Sequence, residues 1–311
     1  MNNIKILASG IYLPKKQVNN DELEKVLNLE KGYIEKRTGI KNRYYAIEEK
    51  IEDMALESAK EVLKNAEEKE NIDLIITATT STDILMPGIS NYVQKNLKLN
   101  SCICLDVLSG CSGYINAFDI AKLYIDSGNV KKALVIGVDK LSQVIDKKDI
   151  GTSVVLSDGS GATLIQKDND VNYQKRYITN IKADGENNEI LTYKYGEKIF
   201  MNGKEVYKYA VTKTVENIKE LLEKSKLTLE DIKYIIPHQS NLKIIKAISS
   251  RLHINMEKMY TNIGIRGNTF CASIPIAIYD MQQNNMLKSG DKIILLGYGG
   301  GLNTGSILME I

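Results

Sequence analysis

The 311-residue chain holds no tryptophan, two histidines, three phenylalanines, four prolines and four cysteines. Neither sign of charge dominates. Forty-one Lys and Arg oppose thirty-nine Asp and Glu, a net charge of +2, so no overall field would hold a polyanion and nucleic acid is not an expected partner. There is no apolar run of membrane-spanning length, and the N-terminus runs straight into Ile4-Lys-Ile-Leu-Ala-Ser-Gly without the pattern of a signal peptide. The expectation is a cytoplasmic protein with no membrane association. Cys102, Cys104, Cys111 and Cys271 form neither a secreted disulfide framework nor paired C-x-x-C spacing for zinc, so reduced thiols and no metal are expected.

What is present reads as an α/β protein. The chain is 43% hydrophobic and long enough for two core-forming units, and strand-like runs alternate with helical patterns. Residues 21–28 and 52–66 read as helices. Residues 73–80, Ala133–Asp139, Ser153–Ser157 and Ala162–Ile165 read as strands, the last two flanking a turn at Asp158-Gly159. Cys102 and Cys104 alternate with Ile103 and Leu105, which places both thiols on one strand face in a structural role. A weak internal repeat relates Ile72–Thr80 and Ala133–Asp139 to Ile232–Gln239 and Lys292–Gly299, the mark of a duplication.

Chemistry concentrates in three segments. In Leu105-Asp-Val-Leu-Ser-Gly-Cys-Ser-Gly-Tyr, an apolar run meets small residues and then a helical pattern through Tyr114, Ile115, Phe118, Leu123 and Ile125, expected to be buried mid-fold. Cys111 would open that helix, where unpaired N–H groups and the macrodipole lower a thiol's pKa. A free cysteine is ordinarily a small buried hydrophobe, so position alone does not decide its role. His238, in Tyr234-Ile-Ile-Pro-His-Gln-Ser-Asn-Leu, ends a short strand-like run where α/β proteins gather their sites, and a helix opens at Asn241. His253 reads as surface. Asn268 stands in Arg266-Gly-Asn-Thr-Phe-Cys-Ala-Ser-Ile-Pro before a small-residue helix start, where a turn or cap role is common.

In the order Cys, His, Asn, these segments resemble the β-ketoacyl-acyl-carrier-protein synthase III family of the thiolase superfamily. The resemblance spans nearly the whole chain, through Ile6-Leu-Ala-Ser-Gly-Ile-Tyr-Leu-Pro, Tyr33-Ile-Glu-Lys-Arg-Thr-Gly-Ile, Thr77-Ala-Thr-Thr-Ser, Ser157-Asp-Gly-Ser-Gly-Ala and Gly297-Tyr-Gly-Gly-Gly-Leu. It implies a thiolase-like five-layer αβαβα sandwich of two similar halves, here residues 1–168 with the cysteine and 169–311 with the histidine and asparagine. It implies Cys111, His238 and Asn268 as catalytic residues, with the backbone N–H groups of Cys111 and Gly300 as the oxyanion hole. The glycine-rich turn precedes a strand at residues 304–311, not a helix, which disfavours a dinucleotide fingerprint.

The resemblance further implies a homodimer, no cofactor, and coenzyme A or acyl-carrier-protein thioesters as substrates. Tyr33, Arg37, Met86 and Asn241 fall at its substrate-binding positions, Met86 at one that reaches into the partner's acyl pocket. Lys204, Lys208, Lys243, Lys246 and Arg251 border the entrance, where an acidic acyl carrier protein would dock; their alternative is a solvated surface. Two departures stand out. Tyr33 replaces the tryptophan that stacks on the coenzyme A adenine, and Ile150 replaces the arginine on the base's other face, removing a contact worth roughly 0.5–2 kcal/mol. The reading is a decarboxylating Claisen condensation of a short acyl group with malonyl-acyl carrier protein. Its rivals are a specialised acyltransferase with the same residues and a non-catalytic acyl-binding partner subunit.

Overall fold

The computed structural model describes residues 3–66, 71–168 and 176–311. The chain opens with β1 (Asn3–Tyr12). A small ribbon of β2 (Lys16–Asn19) and β3 (Asn42–Tyr45) follows, enclosing α1 (Asn20–Val26) and α2 (Tyr33–Thr38). Then come α3 (Ile51–Asn65), β4 (Leu74–Ala78), α4 (Ile89–Asn96), β5 (Ile103–Val107) and α5 (Gly113–Asp126). β6 (Lys132–Asp139), the short α6 (Ile150–Ser153) and β7 (Gly159–Asp168) complete a five-stranded sheet ordered β1-β7-β6-β4-β5.

A second sheet begins with β8 (Tyr177–Ala183). A two-stranded ribbon of β9 (Leu191–Thr192) and β10 (Phe200–Met201) leads into α7 (Gly203–Ser225), β11 (Tyr234–Pro237) and α8 (Leu242–Leu252). After α9 (Ile263–Arg266) and α10 (Ser273–Gln283), β12 (Lys292–Gly299) and β13 (Asn303–Glu310) close a sheet ordered β11-β12-β13-β8.

Five layers result. Helices α3 and α4 cover the outer face of the first sheet, α5 and α10 lie between the sheets, and α7 with α8 covers the outer face of the second. Strands covered on both faces have no polar side to keep. That is why β4 and β6 are buried at every position and why their sequences run apolar without alternation. Helix α5 buries Tyr114, Ile115, Phe118 and Ile125 as expected, while Leu123 is 59% exposed. Cys102 and Cys104 do share a face, with their sulfurs 3.9 Å apart, half-buried and unoxidised.

The internal repeat has a structural counterpart. β4 pairs parallel with β6 and β6 antiparallel with β7; β11 pairs parallel with β12 and β12 antiparallel with β13. Each central helix also follows one 3₁₀ turn, Gly110–Ser112 before α5 and Phe270–Ala272 before α10. Both turns begin in the left-handed region, Gly110 at φ 58° and Phe270 at φ 45°. Glycine adopts this freely, whereas a side chain there costs roughly 1–2 kcal/mol.

One expected strand is absent. Ser153–Ser157 is the end of α6 and an irregular segment, not a strand. Asp149 caps α6 by accepting from the Gly151 and Thr152 amides, and Val154, Val155 and Leu156 are apolar because they pack into the core around Ile34, Leu141 and Phe270. Continuous burial, not strand pairing, produced the pattern. Asp158 does not sit in a solvent turn either; it is buried, accepting from Ala46 N and from Ser142 N and Oγ. The expected boundary between residues 168 and 169 touches 169–175, outside the described residues.

Candidate active site

Cys111 is the middle residue of the turn that leads into α5, with its side chain buried. Two glycine contacts explain how a loop from the second sheet reaches it. A Cβ on Gly110 would lie 2.6 Å from the Gly300 carbonyl oxygen, and a Cβ on Gly299, at φ 153°, would lie 2.8 Å from Cys111 Sγ. Only glycines let these two backbones meet. Burial pushes the thiol up to about 12, with Asp139 adding to it, and outweighs the lowering by the Gly300 and Cys111 backbone N–H groups. The expected lowering by the helix N-terminus is therefore corrected: desolvation dominates in the free protein.

His238 follows β11. Its N–H donates to Leu296 O at 2.7 Å, and its carbonyl accepts from Tyr298 Oη at 3.1 Å. The ring stands edge-on to Tyr298, with centroids 5.3 Å apart, and to Phe270 at 6.5 Å. Its Nδ1 lies 2.6 Å from Ser273 Oγ. Burial alone depresses its pKa to about 3, so the imidazole is neutral at physiological pH.

Asn268 is clamped by the irregular segment after α6. Its N–H donates to Val155 O at 3.0 Å, and its carbonyl accepts from Ser157 N at 2.9 Å. The side-chain Oδ1 accepts from Phe270 N at 3.1 Å. With its acceptor so engaged, the amide presents Nδ2 as a donor. His238 and Asn268 thus offer two neutral donors, each in contact with Phe270, which lines the Cys111 cavity.

Two cavities receive these residues, with no lining residue in common, and His238 lines neither. Cys111, Phe270 and Gly300 line one of about 750 Å³ with Thr80, Leu191 and Tyr193. Asn268 lines another of about 460 Å³ with Tyr33, Arg37, Ile150, Lys204, Asn241 and Lys243. Phe270, in the lining of the first, stands edge-on to His238 and donates its backbone N–H to Asn268 Oδ1.

The other expected site residues divide. Tyr33 and Arg37 share α2, and the Arg37 guanidinium lies over the Tyr33 ring at 4.6 Å, so the cation stacks on its own neighbour in the cavity that Ile150 also lines. Asn241 lines the cavity, but its Oδ1 caps α8 by accepting from Lys243 N at 2.9 Å. Lys204 and Lys243 are exposed at the same mouth. Lys31 and Lys36 stand with Arg37 and Lys243 around an adjoining cleft and were not read from sequence. Lys208, Lys246 and Arg251 are exposed but line neither cavity; Arg251 donates to Thr212 Oγ1 at 3.2 Å. Met86 is 89% exposed and lines neither cavity. His253 is exposed at the end of α8. Among the described residues no group of three or more His, Cys, Asp or Glu is placed to hold a metal.

Comparison with known proteins agrees with this architecture. Residues 105–185 match the 3-oxoacyl-[acyl-carrier-protein] synthase III family, and residues 222–311 match its C-terminal counterpart. The β-ketoacyl-[acyl-carrier-protein] synthase III of Clostridium novyi is 38% identical, covering 100% of this chain and 99% of the relative. That of Aquifex aeolicus is 40% identical, covering 98% of this chain and 99% of the relative. The crystal structure of the Aquifex aeolicus synthase superimposes with a TM-score of 0.96 at 39% identity, covering 99% of this chain and 100% of that one. The chain belongs to the 3-oxoacyl-[acyl-carrier-protein] synthase III family, with the thiolase-like fold of its members.

Proposed function

We propose that this protein catalyses the decarboxylating Claisen condensation of a short acyl group with malonyl-acyl carrier protein. Cys111 attacks the acyl thioester, the carbonyl oxygen accepts from the Gly300 and Cys111 N–H groups, and the departing thiol leaves with the proton. One thioester replaces another. The malonyl C–CO₂⁻ bond then breaks, its electron pair becomes a thioester enolate, and the enolate carbon attacks the acyl carbon. Cys111 thiolate leaves, and a β-ketoacyl-acyl carrier protein is released.

The observation that supports this reading is the pair of neutral donors, His238 and Asn268, both in contact with Phe270 at the cavity of the buried Cys111 thiol. An enolate oxygen needs hydrogen bonds without a proton acceptor nearby, and a neutral imidazole with a carboxamide supplies them. Tyr33, Arg37 and Asn241 would guide the substrate arm, and the Lys204–Lys243 mouth would meet the acidic carrier protein.

Homodimer formation is part of the proposal. Leu85, Met86 and Leu108 are large apolar residues left exposed beside edge strand β5, a surface that a second copy would cover, with Met86 entering the partner's acyl cavity. The division into halves at 168/169, a cytoplasmic location and independence of metal or cofactor complete it.

Mass spectrometry after incubation with a panel of acyl thioesters, followed by carbon dioxide release from malonyl-acyl carrier protein, tests the reading. A Cys111 adduct and decarboxylation are expected. Acylation without any decarboxylation would instead indicate a specialised acyltransferase, and no adduct from any donor a non-catalytic acyl-binding subunit.

A further inference from the structure

We infer that Ser273 is a positioning residue: its hydroxyl donates to His238 Nδ1 and thereby fixes the imidazole as the Nε2–H tautomer facing the substrate. The inference deepens the proposed role of His238 and rests on it for its catalytic meaning. Ser273 is the first residue of α10, and its side chain is buried. Its hydroxyl lies 2.6 Å from His238 Nδ1 and makes no other hydrogen bond among the described residues. A hydroxyl carries one hydrogen, and at a buried site that hydrogen needs an acceptor.

Two arrangements satisfy the distance. If Nδ1 carried the proton, Ser273 would accept it and leave its own hydrogen buried with nowhere to go. If Ser273 donates, every polar hydrogen of the pair is placed, and Nδ1 is the acceptor. A neutral imidazole whose Nδ1 accepts holds its proton on Nε2.

The chemical consequence is specific. An Nε2–H imidazole donates to an enolate oxygen but has no lone pair on that nitrogen to take the Cys111 proton. His238 is then a donor in the condensation half and not the base of the acylation half. Ser273 therefore influences one half-reaction and spares the other.

The protein's two histidines make the test direct. The full-length protein is labelled with [¹⁵N]histidine, and the imidazole nitrogens are observed near pH 7.5, exposed His253 serving as reference. In the wild-type protein His238 is expected to show an unprotonated Nδ1 and a protonated Nε2. Ser273→Ala is expected to mix the tautomers and to slow malonyl decarboxylation about fivefold to tenfold, the scale of one hydrogen bond. It should leave the Cys111 acylation rate within about twofold, and Ser273→Thr should restore the tautomer and the rate. A protonated Nδ1 in the wild-type protein overturns the inference even if the variants fail to fold, and so does a Ser273→Ala protein with unchanged tautomer and rate. A wild-type protein that never decarboxylates malonyl thioesters would remove the proposed function while leaving the tautomer assignment to stand on its spectrum.

Discussion

The Asp139 carboxylate, at the end of β6 in the first sheet, accepts from the backbone N–H of Cys271 in the turn that opens α10, at 3.0 Å. Its other oxygen accepts from Thr80 N at 2.7 Å, Ser81 N at 3.0 Å and Ser81 Oγ at 2.8 Å. One buried carboxylate thus ties the wall of the Cys111 cavity to the segment that carries Asn268 and Phe270. Asp139→Ala would leave several buried donors unsatisfied and is expected to lower stability by about 3–5 kcal/mol. Asp139→Asn, which keeps one carbonyl oxygen, should lose less. Urea unfolding checks this, and an Asp139→Ala protein as stable as wild type would show that the tie is incidental.

For the thiol, the expectation concerns pH. Because burial pushes Cys111 up to about 12, the thiolate fraction grows tenfold per pH unit throughout the neutral range. Acylation and iodoacetamide capture at Cys111 should rise log-linearly from pH 6 to 9, with no inflection near 6.5 and no plateau. Cys271, buried, pushed well above the ordinary thiol value and donating to Gly110 O at 3.1 Å, should stay unmodified, as should half-buried Cys102 and Cys104, which burial also raises. A plateau by pH 8, or an adduct that survives Cys111→Ala, would contradict this.

These two relationships also mark what could be read from sequence. Cys111, His238 and Asn268 each sit where a strand or extended segment meets a helix, a junction written in adjacent residues, so their neighbourhoods were legible. The thiol's pKa was not, because it depends on how completely two distant loops close over it. The Asp139–Cys271 bond and the His238–Ser273 pair are long-range contacts between residues whose local sequence announces nothing. Ser153–Ser157 misled because a buried irregular segment and a buried strand have the same composition. The five-layer fold was legible through the resemblance and the repeated strand pattern, since doubly covered strands leave a continuous apolar signature.

Acid sensitivity should follow His238. Its folded pKa of about 3 lies below the ordinary value of 6.5, so between these pH values the unfolded chain binds the proton and the folded one does not. Stability is full above pH 6.5 and is lost as pH falls toward 3, by up to about 1.4 kcal/mol per pH unit from this group. His238→Gln should flatten the decline in Tm between pH 6 and 4 relative to wild type. Parallel declines in the two proteins would mean that the imidazole is not buried as a neutral group.

Phe270 holds a left-handed backbone and lines the cavity of Cys111. Its ring takes up space in that cavity, so on the proposed function Phe270→Ala should shift the preferred acyl group toward longer chains, seen as a severalfold change in the ratio of acylation rates for long and short donors. It also removes an edge contact from His238, so decarboxylation should fall moderately. An unchanged chain-length ratio would show that the ring does not border the acyl group.

The donor should be read by charge and not by base stacking. Arg37 already lies over Tyr33 at 4.6 Å, and Ile150 offers the same cavity an exposed apolar side chain without a cation. An adenine entering this mouth gains contact with the Tyr33 ring and its stacked Arg37 alone, whereas an acidic carrier protein meets Lys204 and Lys243 with Lys31 and Lys36 close by. Acyl-carrier-protein thioesters should therefore acylate Cys111 faster than the same acyl groups on coenzyme A. Their advantage should shrink with salt, because exposed charges farther apart than about 8–10 Å are screened at physiological ionic strength. Lys243→Glu should lower the carrier-protein rate about tenfold and change the coenzyme A rate less, while Ile150→Arg should narrow the gap by improving coenzyme A alone. Equal rates for the two donors, with no salt dependence, would mean that Tyr33 and Arg37 suffice to hold the nucleotide and that the lysines are a solvated surface.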